Sequence, residues 1–228
     1  MEYRNLTIIG SSHIAIESVN KVREAIETLK PEIVALELDP RRAQVLLKKG
    51  EKETKDYLYI LRKVGIKGFI FSLIGEWAEK KLGKIVNIKP GTEMLVALKL
   101  ARKNNISVAL IDQDIEVTLR RFSQALTWKE KFRFIADFVR ALFSRKKIDF
   151  DLRKVPSQEL IKKLVKEVKA RYPNIYKVLV EERNHFMARN LYNLMKTNKK
   201  IIAVMGAGHE EDIIRIIKIL EKKNIIYL

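Results

Sequence analysis

The chain has 228 residues, of which 47% are apolar and 32% are charged. This mixture can bury a sizeable core, which excludes the disordered, collagen-like and low-complexity classes. The absence of cysteine excludes disulfide scaffolds, thiolate zinc sites and cysteine nucleophiles. The abundance of Lys, Ile and Glu is typical of a heat-adapted cytosolic protein. The formal net charge of +18 suits an anionic partner or high solubility.

Apolar runs alternate with segments of helical spacing at both ends of the sequence. The runs predict short buried strands, at residues 6–9, 33–38, 106–111, 201–205 and 225–228. Helical spacing predicts helices at 14–29, 53–64 and 93–104. Asp39 followed by Pro40 predicts the cap and the first residue of another helix.

This alternation predicts an α/β fold with a mostly parallel central sheet flanked by helices. The block at 113–198 contains no convincing strand and reads as a long all-helical insertion or lid between the third and fourth predicted strands. No linker composition marks a boundary, so we expect residues 1–228 to form a single domain.

Four polar residues stand at the ends of four predicted strands. His13 follows the first strand, Glu37 ends the second, Asp112 ends the third, and His209 follows the fourth. Open α/β sheets bind ligands at the carboxyl ends of their strands. We therefore expect these four side chains to line one crevice.

Both histidines belong to the same short pattern of strand, Gly-x-x-His and helix. The pattern occurs at Gly10 to His13 and at Gly206 to His209. A helix N-terminus disfavours imidazolium, so both rings are expected to be neutral. Neutral imidazole serves a divalent metal and a general base equally well, and the pattern does not choose between them.

Glu182 and Arg183 interrupt two apolar rows of the helix predicted near 175–194. Buried charges need partners, so the two residues form either a structural pair or a group lying over the crevice. His185 falls away from that face. Arg42, one turn into the helix after the second strand, could orient a carboxylate or stabilise an oxyanion.

Several signatures are absent from the sequence. It contains no dinucleotide or phosphate loop, no Gly-x-Ser-x-Gly and no His-Glu-x-x-His motif. No signal peptide is recognised, and the apolar stretch from Gly65 to Ala78 is broken by Lys67 and Glu76, which argues against a spanning helix. We expect a cytoplasmic protein that is soluble or peripheral to a membrane.

Six short segments together resemble the TraB/PrgY family over nearly the whole chain. They are IIGSSH, VALELDPRR, KPGTEMLVAL, ALIDQDIEVTLRR, EERNHFMARNL and VMGAGH. The wider group is similar to Tiki proteases, ChaN and erythromycin esterases, which implies an α/β core with a His/Glu/Arg crevice. Many members carry C-terminal membrane spans, so the chain could correspond to the soluble domain of a membrane-anchored protein.

The resemblance also implies a set of site residues. Arg42 and Glu37 match the acidic-arginine motif, and Glu182 with Arg183 match a Glu-Arg-Asp helix in which Asn184 stands where Asp is common. The full set that the resemblance implies is Gly10, His13, Glu37, Arg42, Glu93, Asp112, Asp114, Glu182, Arg183, Gly206, Gly208 and His209.

The leading hypothesis is a metal-assisted hydrolase that acts on peptide bonds. His13 and His209 would bind a divalent ion together with Glu37 or Glu182, and the other glutamate would act as general base. Zinc, manganese and cobalt are not distinguished by these ligand types. Arg42 and Arg183 would hold a substrate carboxylate or stabilise the developing oxyanion.

Two other classes of function stay open. The same residues could form a metal-independent esterase-like hydrolase in which His13 is the base. The chain could also be a non-catalytic peptide-binding or regulatory protein at membranes, similar to pheromone-shutdown proteins. Nucleic-acid binding is disfavoured for lack of a recognised motif, and the oligomeric state is open, with a homodimer as one option.

A basic amphipathic segment runs from Trp128 to Phe143. Its apolar face carries Phe132, and Lys129, Arg133 and Arg140 stand among the cations of the remaining surface. Such a helix can pack its aromatic face on the core or lie in an anionic headgroup layer. The second case predicts peripheral contact with an anionic membrane.

Overall fold

A computed structural model of the chain describes residues 1–11, 16–48, 62, 91–130, 132–133, 136–137 and 158–225. His13, the apolar stretch from Gly65 to Ala78 and nearly all of the helix predicted at 53–64 lie outside the described residues.

Five strands form one mixed, mostly parallel sheet, as the sequence predicts. Its order is β1-β2-β5-β3-β4. Only β1 runs antiparallel to its neighbour, and the other pairs are parallel. The strands are β1 (Glu2–Tyr3), β2 (Leu6–Ser11), β3 (Ile33–Leu36), β4 (Ser107–Leu110) and β5 (Ile201–Gly206).

Helices connect and cover the strands. The described helices are α1 (Ile16–Leu29), α2 (Pro40–Leu47), α3 (Thr92–Lys103), α4 (Ile115–Ala125), α5 (Gln158–Arg171), α6 (Pro173–Tyr176), α7 (Glu182–Met195) and α8 (Glu210–Ile225). A π-helical segment, Lys177–Glu181, directly precedes α7. Between β4 and β5 the described part of the chain contains helices and no strand, in line with the predicted helical insertion.

Both ends of the chain differ from the prediction. Ile225, the first residue of the predicted terminal strand, belongs to α8, and residues 226–228 lie outside the described residues. The strand β1 was not predicted, since a pair of two residues is too short to leave a pattern of alternation.

Strand β5 lies at the centre of the core, and all six of its residues are buried. Ala203 and Met205 pack in the apolar layer that includes residues of α7 and α8. Ile202 and Val204 pack in the layer that includes residues of α1 and α3. Burial on both faces explains why the strands read as continuous apolar runs.

The register of the strands brings their carboxyl ends to one edge. Ser11 lies opposite Gly206 in the β2–β5 pair, and Leu36 lies opposite Val204 in the β3–β5 pair. The Glu37 N–H continues this ladder by donating to the Val204 carbonyl at 3.0 Å. Residues just after β2, β3 and β5 therefore meet at this edge.

Helix α2 begins where the sequence predicts. A side-chain oxygen of Asp39 accepts hydrogen bonds from the N–H groups of Arg41 at 2.9 Å and Arg42 at 3.1 Å, and Pro40 occupies the first helical position. Because Asp39 fixes this start, Arg42 stands within one turn of the sheet edge.

Candidate functional site

Glu37 is the carboxylate at the centre of the sheet edge. Its residue is 5% exposed. Oε2 accepts a hydrogen bond from the Gly206 N–H at 2.6 Å, and Oε1 accepts one from Arg183 Nη2 at 2.5 Å. The carboxylate is therefore clamped between the end of β5 and helix α7.

Arg183 links two buried carboxylates. Its Nε donates to Asp112 Oδ1 at 3.0 Å, and its Nη2 donates to Asp112 Oδ2 at 2.7 Å as well as to Glu37. Nη1 donates to the Leu179 carbonyl at 3.1 Å. Burial opposes the charged form, but hydrogen bonding to Asp112 and the charges of Glu37 and Asp112 outweigh it and raise the pKa of Arg183.

Arg42 is the second arginine that contacts Asp112. Its Nη2 donates to Asp112 Oδ2, and its Nε donates to Asp39 Oδ2 at 2.6 Å. The guanidinium side chain is 34% exposed, against 16% for Arg183. Arg42 is thus the cation of the group that faces solvent more. We call Glu37, Asp39, Arg42, Asp112 and Arg183 the edge cluster.

The edge cluster contains more acidic than basic groups. Burial lowers the pKa of Arg42 less than the neighbouring carboxylates, led by Asp112, raise it, so both guanidiniums stay charged. Among the described residues, the cluster brings three carboxylates together with two guanidiniums.

His209 adjoins the edge cluster at the start of α8. Its ring lies between two side chains: Nδ1 is 2.5 Å from Asn184 Oδ1, and Nε2 is 3.5 Å from Glu37 Oε1. The imidazole side chain is 12% exposed. The sequence placed His209, Glu37 and Asp112 in one crevice. In the structure His209 lies beside Glu37, and Arg183 connects Glu37 to Asp112.

Gly10, the first glycine of the Gly-x-x-His pattern, is required by a close approach. A Cβ at this position would overlap the carboxylate of Glu210 and approach the Ala207 backbone to 3.0 Å. Glu210 is 7% exposed, and burial raises the pKa of its carboxyl group. The missing side chain at Gly10 therefore makes room for a buried acid that the sequence analysis did not single out.

Glu182 contacts Arg121 rather than Arg183, although a structural pair with Arg183 was one of the two arrangements that the sequence left open. Its two oxygens accept hydrogen bonds from Arg121 Nη2 at 2.7 Å and Nε at 3.2 Å, and the Arg121 side chain is 47% exposed. Hydrogen bonding to Arg121 lowers the pKa of Glu182. The neighbours Glu182 and Arg183 thus serve different parts of the molecule.

Three further residues from the sequence analysis, Glu93, Asp114 and Gly208, have described positions elsewhere. Asp114 caps α4, where its side chain accepts the Glu116 N–H at 2.7 Å. Glu93, 1% exposed in the first turn of α3, accepts a hydrogen bond from Ser11 Oγ at 3.5 Å. Gly208 lies in the exposed turn before α8, and His13 lies outside the described residues.

No group of three or more His, Asp or Glu side chains arranged to hold a metal ion is found in the part of the chain that the structure describes. That part leaves out His13. The same part contains no helix long and apolar enough to cross a bilayer.

The aromatic residues of the basic segment point outward at its start. Trp128 and Phe132 are 69% and 68% exposed, and their ring centroids lie 6.2 Å apart. The first aromatic positions of this segment therefore do not pack in the core. Arg133 contacts another helix of the insertion, because its Nη1 donates to the Arg171 carbonyl, at the end of α5, at 2.7 Å.

Fold and site together define an α/β protein with a His/Glu/Arg cluster at the carboxyl edge of a mostly parallel sheet. The model of the TraB/PrgY/gumN family matches residues 2–227, so the chain belongs to this family. The resemblance read from the sequence is thereby confirmed.

Two relatives show how far the similarity extends. Uncharacterized protein MJ1365 of Methanocaldococcus jannaschii is 37% identical over 226 residues, which cover 98% of this chain and 56% of that protein. The human TraB domain-containing protein is 21% identical over 195 residues, covering 79% of this chain and 50% of that protein. The chain thus spans about half the length of the curated relatives it matches.

Sequence reasoning missed two members of the site. Asp39 was assigned only as a helix cap, but it also pairs with Arg42. Asn184 was noted as a departure from the family pattern, but its contact with His209 was not foreseen. The available signal was that Asn184 follows Arg183 on a helix predicted to be largely buried. A buried amide needs hydrogen-bond partners, so a contact with another polar residue could have been expected.

Proposed function

We propose that the chain is a hydrolase that cleaves peptide bonds with a divalent metal ion held by His209 and Glu37, with His13 as the third ligand. The carrying observation is the 3.5 Å separation of His209 Nε2 and Glu37 Oε1. Membership of the TraB/PrgY/gumN family supports the choice of this edge of the sheet.

The separation of the two atoms fits a shared ion. Ligands about 2.0–2.2 Å from a tetrahedral zinc ion stand roughly 3.4 Å from one another. A carboxylate oxygen has two lone pairs, so Glu37 Oε1 can accept from Arg183 and still face an ion. The donor set of imidazole and carboxylate suits zinc, manganese and cobalt alike.

The ligands of the proposed ion are side chains at the carboxyl edge of the sheet. His209 is neutral whenever it acts as a ligand. Glu182 is no longer part of the proposed ligand set, because Arg121 engages both of its oxygens.

The two arginines take different roles in this proposal. Arg183 makes four hydrogen bonds to Glu37, Asp112 and the Leu179 carbonyl, so it positions the carboxylate of Glu37. Arg42 is one-third exposed and can turn donors toward a substrate carboxylate or a developing oxyanion. A bound divalent ion would polarise the scissile carbonyl and acidify water.

The test measures metal content and peptide hydrolysis on the same preparations. Protein purified without chelators is analysed for bound metal and incubated with a mixed peptide library, before and after chelator treatment. The variants are His209→Gln and Glu37→Gln, and the matched controls are His185→Gln, at an exposed histidine of α7, and Glu211→Gln, at an exposed acid of α8.

We expect about one ion per chain, with hydrolysis that chelator abolishes and added metal restores. Both site variants should lose ion and activity, and both controls should keep them. Hydrolysis that survives chelation would overturn the metal-dependent mechanism and favour the metal-independent hydrolase. Ion binding without hydrolysis of any peptide would overturn the enzymatic proposal in favour of a binding protein.

A further inference from the structure

Asn184 sits between the imidazole of His209 and a carboxylate of α8. Its Oδ1 lies 2.5 Å from His209 Nδ1, and its Nδ2 donates to Asp212 Oδ2 at 3.3 Å. The residue is 1% exposed. Such a buried amide on a helix must satisfy its donor and acceptor groups within the protein.

The orientation of this amide follows from its two neighbours. A carboxylate at neutral pH only accepts hydrogen bonds, so the NH2 group of Asn184 must face Asp212. Arg215 Nη2 donates a hydrogen bond to the other oxygen of Asp212, Oδ1, at 2.6 Å. The carbonyl oxygen of Asn184 must therefore face His209, where it can only accept.

The protonation of the imidazole follows in turn. Because Asn184 Oδ1 accepts, His209 Nδ1 must carry the proton. In a neutral ring the lone pair then lies on Nε2, the atom that faces Glu37 Oε1 at 3.5 Å. We propose that Asn184 is a positioning residue that fixes His209 in the Nδ1–H tautomer and presents Nε2 to the Glu37 side of the site.

The backbone places Asn184 for this task. The π-helical segment Lys177–Glu181 ends three residues before Asn184, and π turns inside α-helices are frequent at functional sites. The Leu179 carbonyl of that segment accepts from Arg183 Nη1 at 3.1 Å. Arg183 and Asn184 thereby hold the two ends of the Glu37–His209 pair from one helix.

This inference rests on the proposed function only where it concerns metal affinity: the fixed tautomer leaves Nε2 ready to bind an ion or to act as a base. Outer partners of metal-binding histidines contribute about 10- to 100-fold to metal affinity. The tautomer itself is a property of the ring and is expected with or without an ion on Nε2.

The experiment is long-range ¹H–¹⁵N NMR of protein labelled with ¹⁵N-histidine, recorded where imidazole is neutral. The three histidine rings are assigned with His13→Gln and His185→Gln. Asn184→Leu removes the acceptor, and Asn184→Asp keeps one. Asn190→Leu is the matched control, because Asn190 is another α7 amide, which donates to the Ile111 carbonyl at 3.0 Å.

We expect a protonated Nδ1 for His209 in the wild type, in Asn184→Asp and in Asn190→Leu, and a shift toward Nε2–H in Asn184→Leu. Zinc affinity measured by titration calorimetry should fall about 10- to 100-fold in Asn184→Leu. A wild-type ring protonated at Nε2 would overturn the inference even if no variant folds. So would an unchanged tautomer in folded Asn184→Leu. A protonated Nδ1 in a protein that binds no zinc would uphold the inference while the metal proposal fails.

Discussion

The edge cluster and the helical insertion arrange their charges in opposite ways. In the edge cluster single groups are shared: Asp112 accepts from both Arg42 and Arg183, and Arg183 donates to both Asp112 and Glu37. In the described part of the insertion the charges form separate pairs, such as Glu182 with Arg121 and Glu181 with Lys169.

This difference predicts that charge substitutions are costly in the edge cluster and tolerated in the insertion. Removing one member of a shared, buried cluster leaves the others without compensation, which is costly in a poorly hydrated environment. Removing one member of an exposed pair leaves a charge that water solvates. The contrast is sharpest between Glu182 and Arg183, which are adjacent in sequence and belong to different arrangements.

The largest effect is expected at Arg183. Arg183→Leu should lower the free energy of unfolding by about 3–5 kcal/mol, because Glu37 and Asp112 would both lose a buried partner. Urea denaturation measures the change. Arg121→Leu is the matched control and should leave stability almost unchanged, since its side chain is 47% exposed. Equal losses in the two variants would abolish the distinction between the regions.

A smaller loss of stability is expected on substitution of Glu130, a buried carboxylate of the insertion that accepts four hydrogen bonds. It is 4% exposed and accepts from the backbone and side chain of both Thr127 and Asn174, at 2.8–3.2 Å. Glu130→Ala should cost about 1–3 kcal/mol, because these donors would lose their acceptor. Glu159→Ala, at an exposed acid of α5, should cost much less.

The loss at Glu130 should depend on pH. Burial alone would raise the pKa of its carboxyl group, but the hydrogen bonds from Asn174 and Thr127 outweigh burial and lower it. A lowered folded-state pKa contributes stability above the ordinary glutamate pKa, and this part is lost as pH falls through the lowered value. The deficit of Glu130→Ala should therefore shrink in acid. A deficit that is constant with pH would show that the carboxylate charge contributes nothing.

Vesicle binding tests the outer surface of the insertion. Trp128 and Phe132 are exposed beside Lys129, and each cation near an anionic surface is worth about 1 kcal/mol. We expect co-sedimentation with anionic but not zwitterionic vesicles, lost when Lys129, Arg133 and Arg140 become Gln. The control replaces Lys99, Arg102 and Lys103, exposed on α3, by Gln. Equal binding to both vesicle types would contradict an electrostatic mechanism.

The smallest effect is expected at Glu182. The sequence suggested a buried Glu182–Arg183 pair whose loss would be strongly destabilising, but Glu182 pairs with the exposed Arg121. Glu182→Ala should therefore leave the melting temperature and metal content within error of the wild type. Loss of bound metal in this variant would return Glu182 to the ligand set.

The sequence was enough to group the polar residues at one edge of the sheet, because that grouping does not depend on the order of the strands. Any parallel strand that ends in a polar residue brings it to the same edge, which is why Glu37, Asp112 and His209 were grouped without knowing the order of strands. The faces of α7 were harder to predict. The π-helical segment before Glu182 is not visible in apolar spacing, and it directly precedes Glu182 and Arg183, whose side chains have different partners.

The roles of Asn184 and Asp39 depend on distances across the fold. Asn184 meets His209 and Asp212 from a different helix, and no local pattern encodes that meeting. Asp39 was predicted as a cap because capping is local, whereas its bond to Arg42 depends on the rotamer of a long side chain.

The most direct test of the account is a crystal structure of the protein soaked with manganese or zinc, with anomalous scattering recorded for the metal. The account predicts one peak about 2.0–2.2 Å from both His209 Nε2 and Glu37 Oε1, with His13 as a third ligand. A peak that avoids both atoms, or no peak at this edge in protein that binds metal in solution, would contradict it.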